Sequence, residues 1–115
     1  MSDNPRFGPG NRIAYALADG THVENVVVFV NRATDGALEY FVIRLGADDP
    51  LFGTALVLLC REVDAKALLL ESAWPLPPKA LYRTKLISDR DAALAEYRIE
   101  CRRRERRQAN QPPGE

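Results

Sequence analysis

Side chains able to do covalent or acid–base chemistry are few in this sequence. His22 is its single histidine and follows directly on the turn residues Asp19-Gly20-Thr21. A Ser-His-Asp relay needs an imidazole oriented by a carboxylate against a nucleophile. A zinc site needs several His or Cys donors together. One turn-flanking histidine supplies neither and reads as a surface residue. Cys60 and Cys101 are the only cysteines and have no CxxC-like spacing. Cys60 ends an apolar run, where a thiol behaves as a small hydrophobe. Cys101 sits amid arginines, which would lower its thiol pKa were it exposed. Nothing in the sequence brings either one to His22 for Cys-His catalysis.

The carboxylates Asp48-Asp49, Asp19 and Asp35 have the chemistry for proton transfer or for holding a hard cation. Each, however, occupies a turn segment that Asp fills for backbone reasons. A small hydrolase or lyase would require Asp48, Asp49 and Arg44 in one cavity. No Walker-type loop or GxGxxG is present, and Gly8-Pro9-Gly10 is a turn, not a phosphate cradle. The expectation is therefore a protein that is not an enzyme and uses no cofactor and no metal.

Arginine is the residue type with most to offer. Residues 98–107 read Arg98-Ile99-Glu100-Cys101-Arg102-Arg103-Arg104-Glu105-Arg106-Arg107. Guanidinium groups bond phosphate oxygens bidentately and stack on bases. On a helix, Arg102, Arg103, Arg104, Arg106 and Arg107 radiate on several sides, which suits phosphate or acidic-surface contact better than base reading. Arg98 extends the set. Glu100 and Glu105 have the spacing to pair with Arg104 and Arg102. The plainer alternative is a solvated helix kept soluble by its charges.

A second candidate is Trp74-Pro75-Leu76-Pro77-Pro78, where an aromatic beside prolines can present a recognition element to another protein. Trp74, Pro75, Pro77 and Pro78 are its protein-binding residues. The alternative packs Trp74 back over an open end of the sheet, with the prolines stiffening the link to the tail.

These groups must be carried by 115 residues of 46% hydrophobic content, enough for one domain with a real core. Net charge is zero but uneven. Residues 1–78 carry six Lys/Arg against ten Asp/Glu, and residues 79–107 carry ten against five. A mildly acidic body with a basic end points to a nucleic-acid or acidic-protein partner. Apolar runs are far too short for a membrane span, and the polar N-terminal stretch is unlike a signal peptide. No membrane partner and a cytoplasmic location are expected.

Along the body, Ile13, Tyr15 and Leu17 alternate with Arg12, Ala14 and Ala16, the period of a half-buried strand. Asp19-Gly20 then signals a hairpin into the Val-rich segment 22–31. Asp35-Gly36 signals another, into a strand over 38–45. Residues 54–63 read as a central strand and 67–71 as a fifth, although Ala67-Leu68-Leu69-Leu70 would also suit a helix. Residues 80–87 alternate and suggest an added edge strand. Ser88 reads as an N-cap with Asp91 three residues on, opening a helix over about 89–108.

The domain plan is thus a flexible lead-in over 1–10, a β-rich domain over 11–87, a basic helix over 88–108 and a disordered tail over 109–115. The fold class is mainly β (α+β): an antiparallel five- or six-stranded sheet or open SH3-like small barrel, followed by one C-terminal α-helix.

Gly10-Asn11-Arg12-Ile13, Tyr40-Phe41-Val42-Ile43 and Ala55-Leu56-Val57-Leu58 carry an architectural resemblance. The order of these segments over residues 8–71 resembles the small SH3-type barrels, KOW- and Tudor-like modules included. That resemblance implies binding over catalysis and transfers no binding residues, since neither a paired aromatic cage nor a Gly-centred KOW signature is present. Two functions follow as expectations. The first is a binding module contacting a polyanion through the basic helix. The second is an accessory or inhibitor protein acting through the sheet edge and the Trp74–Pro78 segment, with homodimerisation through β-edges or paired tails belonging to it.

Overall fold

The computed structural model describes residues 4–46, 48–83 and 86–109, the side chains of 108 and 109 excepted. They fall into two compact units, 1–77 and 78–115.

The first unit begins with two hairpins that share one turn geometry. β1 (Arg12–Ala16) turns into β2 (His22–Arg32), and β2 turns into β3 (Leu38–Leu45). At the first turn the Leu17 N–H donates to Thr21 O at 2.8 Å and Gly20 N–H to Leu17 O at 2.9 Å. Asp19 Oδ1 accepts the Thr21 N–H at 2.9 Å. Ala33, Asp35, Gly36 and Ala37 repeat the pattern at 2.8, 2.9 and 3.0 Å. Gly20 and Gly36 sit at φ +88° and +89°, left-handed backbone that glycine adopts without strain. The Asp side chain satisfies the amide that this geometry turns away from the ladder.

A longer loop leads to β4 (Ala55–Leu59). Asp49 organises it, with Oδ1 accepting the Leu51 N–H at 2.9 Å and Oδ2 accepting Arg44 Nε–H at 2.6 Å. α1 (Cys60–Lys66) follows at once, and β5 (Leu68–Glu71) returns beside β1. The strand order is β4-β3-β2-β1-β5, with antiparallel neighbours throughout. β4 and β5 are the two edges and do not pair, so the sheet is open.

Strand alternation gives the sheet two faces. One buries Ile13, Tyr15, Val23, Val27, Tyr40 and Val42 together with Cys60 and Val63 from α1 and Ala67 just after it. Phe7 joins this core at 5% exposure, and its N–H donates to the Tyr40 hydroxyl at 3.1 Å. Phe7, within the expected lead-in, thus belongs to the core. The other face carries Val26, Ile43 and Leu45, all buried, and a stacked Phe29–Phe41 pair at 4.8 Å. Val28 is the extra residue of a β-bulge in β2, which bends the sheet there.

Three expectations are corrected. The run 54–63 is not one strand: it breaks at Leu59/Cys60 into β4 and α1. The apolar residues Cys60 and Val63 serve the core at helical spacing, a pattern that a short apolar run does not distinguish from a strand. Residues 80–87 form no sixth strand among the described residues. A 3₁₀ turn occupies Lys79–Leu81, and α2 (Ile87–Ala109) has begun by Ile87. Residues 84–85 lie outside the described ones. Ser88 is consequently inside the first turn of α2, not its cap, and Ala109, assigned to the tail, ends that helix. The rest of the expected disordered tail, 110–115, lies outside the described residues.

In the second unit, α2 contacts the 3₁₀ turn and buries Ala93, Tyr97 and Cys101, spaced four apart on one face. No helix of the described residues is long and apolar enough to cross a membrane.

Candidate functional site

The basic stretch lies entirely on α2, so its helical spacing decides which charges cancel. Glu100 reaches forward to two arginines. Its Oε1 lies 3.5 Å from Arg104 Nε and its Oε2 lies 3.6 Å from Arg103 NH1. These are the (i, i+4) and (i, i+3) pairs of a helix surface, each worth about 0.2–0.5 kcal/mol. Arg104 is half-buried and Arg103 exposed. Arg98 is half-buried and already engaged within the molecule. Glu105 stands three residues beyond Arg102 but does not pair with it.

Arg102, Arg106 and Arg107 are therefore different from the other three. All are exposed, and none forms an ion pair or hydrogen bond among the described residues. For Arg106 and Arg107, the helical neighbours three and four positions away include no carboxylate in the sequence. Their charge is left to solvent by the order of residues alone. Cys101 lies on the buried side of the same helix at 2% exposure, so the condition for a reactive thiol is not met there.

The Trp74–Pro78 segment behaves otherwise. Trp74 is 2% exposed, and the Arg12 guanidinium lies over its ring at 4.4 Å. Arg12 is itself buried, with NH2 2.8 Å from Glu24 Oε2 and NH1 3.2 Å from Glu71 Oε1. One cation thereby ties β1, β2 and β5 together and supports the indole. The Trp74 backbone amide donates to Gly10 O at 2.7 Å, and the Gly10 amide donates to Val27 O at 2.9 Å. Pro77 is buried, Pro75 and Pro78 are half-buried, and Leu76 is the exposed side chain of the segment. Sequence reasoning put Arg12 on a solvent-facing row. The carboxylates that take it inside arrive through strand register, a signal absent from the local sequence.

The expected chemistry-bearing residues do not assemble. His22 is exposed at the start of β2, opposite Ala16. Asp49 is engaged by Arg44 and Leu51, while Asp48 is exposed. Partial burial raises the Asp49 carboxyl pKa, but the Leu51 amide and the Arg44 guanidinium outweigh it and hold it below the usual value. Cys60 and Cys101 form no disulfide. Burial, with the Asp64 charge nearby, pushes the Cys60 thiol up, away from thiolate chemistry. Among the described residues no group of three or more His, Cys, Asp or Glu side chains is arranged to hold a metal ion.

A network that sequence reasoning missed joins the lead-in to α1. The Tyr40 hydroxyl donates to Asp64 Oδ1 at 2.5 Å, and Arg6 N–H donates to Asp64 Oδ2 at 3.2 Å. The Arg6 guanidinium also donates to the Asp64 carbonyl. Burial and the bond to Asp64 push the Tyr40 phenol well above the ordinary tyrosine range. Its partners are distant in sequence, so no local pattern announces it.

Comparison with protein-family models, with curated proteins and with solved structures finds no match to this chain.

Proposed function

We propose that this chain is a non-enzymatic binding module that contacts a polyanion through α2. The observation that carries this reading is the exposure of Arg102, Arg106 and Arg107 with no carboxylate partner among the described residues. Nucleic acid is the first polyanion to consider, because guanidinium forks match phosphate oxygens. An SH3-like open barrel is the finer description we attach to the body. Its support is that α1 lies on the core face and β5 returns beside β1.

The test is a salt titration of binding to random-sequence duplex DNA, followed by fluorescence anisotropy. Affinity should fall steeply with salt. Replacing Arg102, Arg106 and Arg107 by Gln should flatten the log–log slope by about 2.7, close to 0.9 for each phosphate no longer neutralised. No binding at low salt removes the nucleic-acid version and leaves an acidic protein surface as the polyanion.

A second reading, protein–protein contact at the sheet edge, is favoured by one feature of β5. Leu68, Leu69 and Leu70 are 68%, 49% and 42% exposed on an edge strand. β5 is short and carries a register shift against β1, both of which blunt strand addition. Contact there would run through side chains. A partner retained after nuclease treatment and lost on Leu69→Lys supports this reading over the first.

A further inference from the structure

A groove of about 420 Å³ opens on the first unit where the lead-in, the β2–β3 hairpin and the start of α1 meet. Its charged lining residues are Arg32, Arg61, Asp35 and Asp64, and Leu38 and Leu59 contribute apolar surface. The carboxylates are already occupied within the fold. Asp64 takes the Tyr40 hydroxyl on one oxygen and the Arg6 N–H on the other. Asp35 accepts the Ala37 N–H at 3.0 Å, fixing the hairpin turn. The arginines are not so occupied. Arg32 donates once, to the Gly36 carbonyl at 2.8 Å, and Arg61 is exposed with no hydrogen bond or ion pair among the described residues.

The groove therefore holds an excess of unused guanidinium donors beside an apolar wall. Its volume falls in the range of small-molecule sites, which pair a mostly apolar surface with a few placed polar groups. Asp35 and Asp64 both keep their charge in the lining, so the surplus over them is one of free guanidinium donors and not of net positive charge. The geometry points to a binding site for a small organic oxyanion, a carboxylate or phosphate group carried on an apolar body. Arg32 and Arg61 hold the oxyanion, and Leu38 and Leu59 pack the body. This site is separate in sequence and in kind from the arginines of α2.

The probes are benzoate and phenyl phosphate, with benzyl alcohol as the neutral analogue, titrated into isotope-labelled protein and followed by amide chemical shifts. At least one anion should move the amides of residues 32–38 and 59–64 at millimolar concentration, and the tighter of the two identifies the preferred head group. The paired change Arg32→Gln with Arg61→Gln should weaken binding at least about tenfold, the loss of charge-assisted bonds on both sides of the anion. Replacing Arg102, Arg106 and Arg107 by Gln should change it by less than about twofold, since every lining residue of the groove belongs to the first unit. Circular dichroism confirms that the variants fold, as exposed substitutions should. Absence of shifts with both anions, an equal response to benzyl alcohol, or undiminished binding by the double variant would overturn the assignment. Failure of nucleic-acid binding by α2 leaves it untouched.

Discussion

Within the sheet, Arg12 is held between Glu24 and Glu71 with Trp74 against its face, while along α2 Arg102, Arg106 and Arg107 are exposed and form no ion pair among the described residues. The two regions use one residue type for opposite ends. In the sheet, partners come from strands far apart in sequence, and register decides whether a charge is met. On the helix only positions three and four away can reply. Glu100 answers Arg103 and Arg104, while Arg102, Arg106 and Arg107 find no answer among the described residues. A charge inside the sheet is structural because tertiary contacts close around it. Arg106 and Arg107 on α2 are available because no carboxylate stands three or four positions away to close on them.

The largest expected effect tests the structural half of that contrast. Arg12→Leu leaves two partly buried carboxylates unmatched and removes the support of Trp74. We expect a loss of about 2–3 kcal/mol by urea denaturation, below the value for fully buried pairs because Glu24 and Glu71 retain some water. Arg102→Leu should cost under about 0.5 kcal/mol. Equal losses would erase the distinction between the two regions.

Next in size is Tyr40→Phe, which removes the donor to Asp64 and the acceptor for Phe7 N–H. A cost of about 1–2 kcal/mol is expected from these buried bonds. The substitution also carries a pH signature. Because the folded phenol titrates above the unfolded value of 10.0, its contribution is complete below that pH and declines as pH rises toward the folded value. Stability of the parent protein should therefore fall in alkali above about pH 10, and Tyr40→Phe should show a shallower decline. Parallel curves would remove Tyr40 from the account.

The smallest effect sharpens the contrast from the helix side. Glu100→Gln releases Arg103 and Arg104 and should tighten polyanion binding by about two- to threefold at low salt, with a steeper salt slope. Helix stability should fall by a few tenths of a kcal/mol, about the worth of the missing pairs. Unchanged affinity would mean that the two paired arginines lie outside the contact.

Features written in local sequence were legible: both Asp-Gly hairpins, the strand over 38–45 and the existence of α2. In each, neighbours along the chain supply the deciding interaction, as when Asp19 binds the Thr21 amide. The break at Leu59/Cys60 was not legible, because α1 opens without a side-chain cap and continues the same apolar run. The strand proposed over 80–87 failed for a related reason. Alternation there competes with the 3₁₀ turn after Pro78 and the early start of α2. On the candidate sites, the local spacing of α2 exposed its arginines to sequence reasoning. The Arg12–Trp74 stack and the Tyr40–Asp64 bond depend on strand register and chain crossing. Trp74 beside prolines left an exposed element and a packed one both open, and Arg12, which lies over its ring, stands some sixty positions earlier.

The point where the Trp74 backbone meets Gly10 sets how freely this sequence can drift. Gly10 has φ +88°, and a Cβ placed there would lie 3.5 Å from the Trp74 carbonyl and 3.8 Å from that of Ser72. Gly20 shares the dihedral but has open space around it, so Asn, which tolerates the left-handed region, is a workable replacement there. At position 10 a replacement must accept the same strained dihedral, and its Cβ would rest in ordinary van der Waals contact with two carbonyls. Two glycines of equal φ thus make the same demand of the backbone and differ in what an added side chain would lie against.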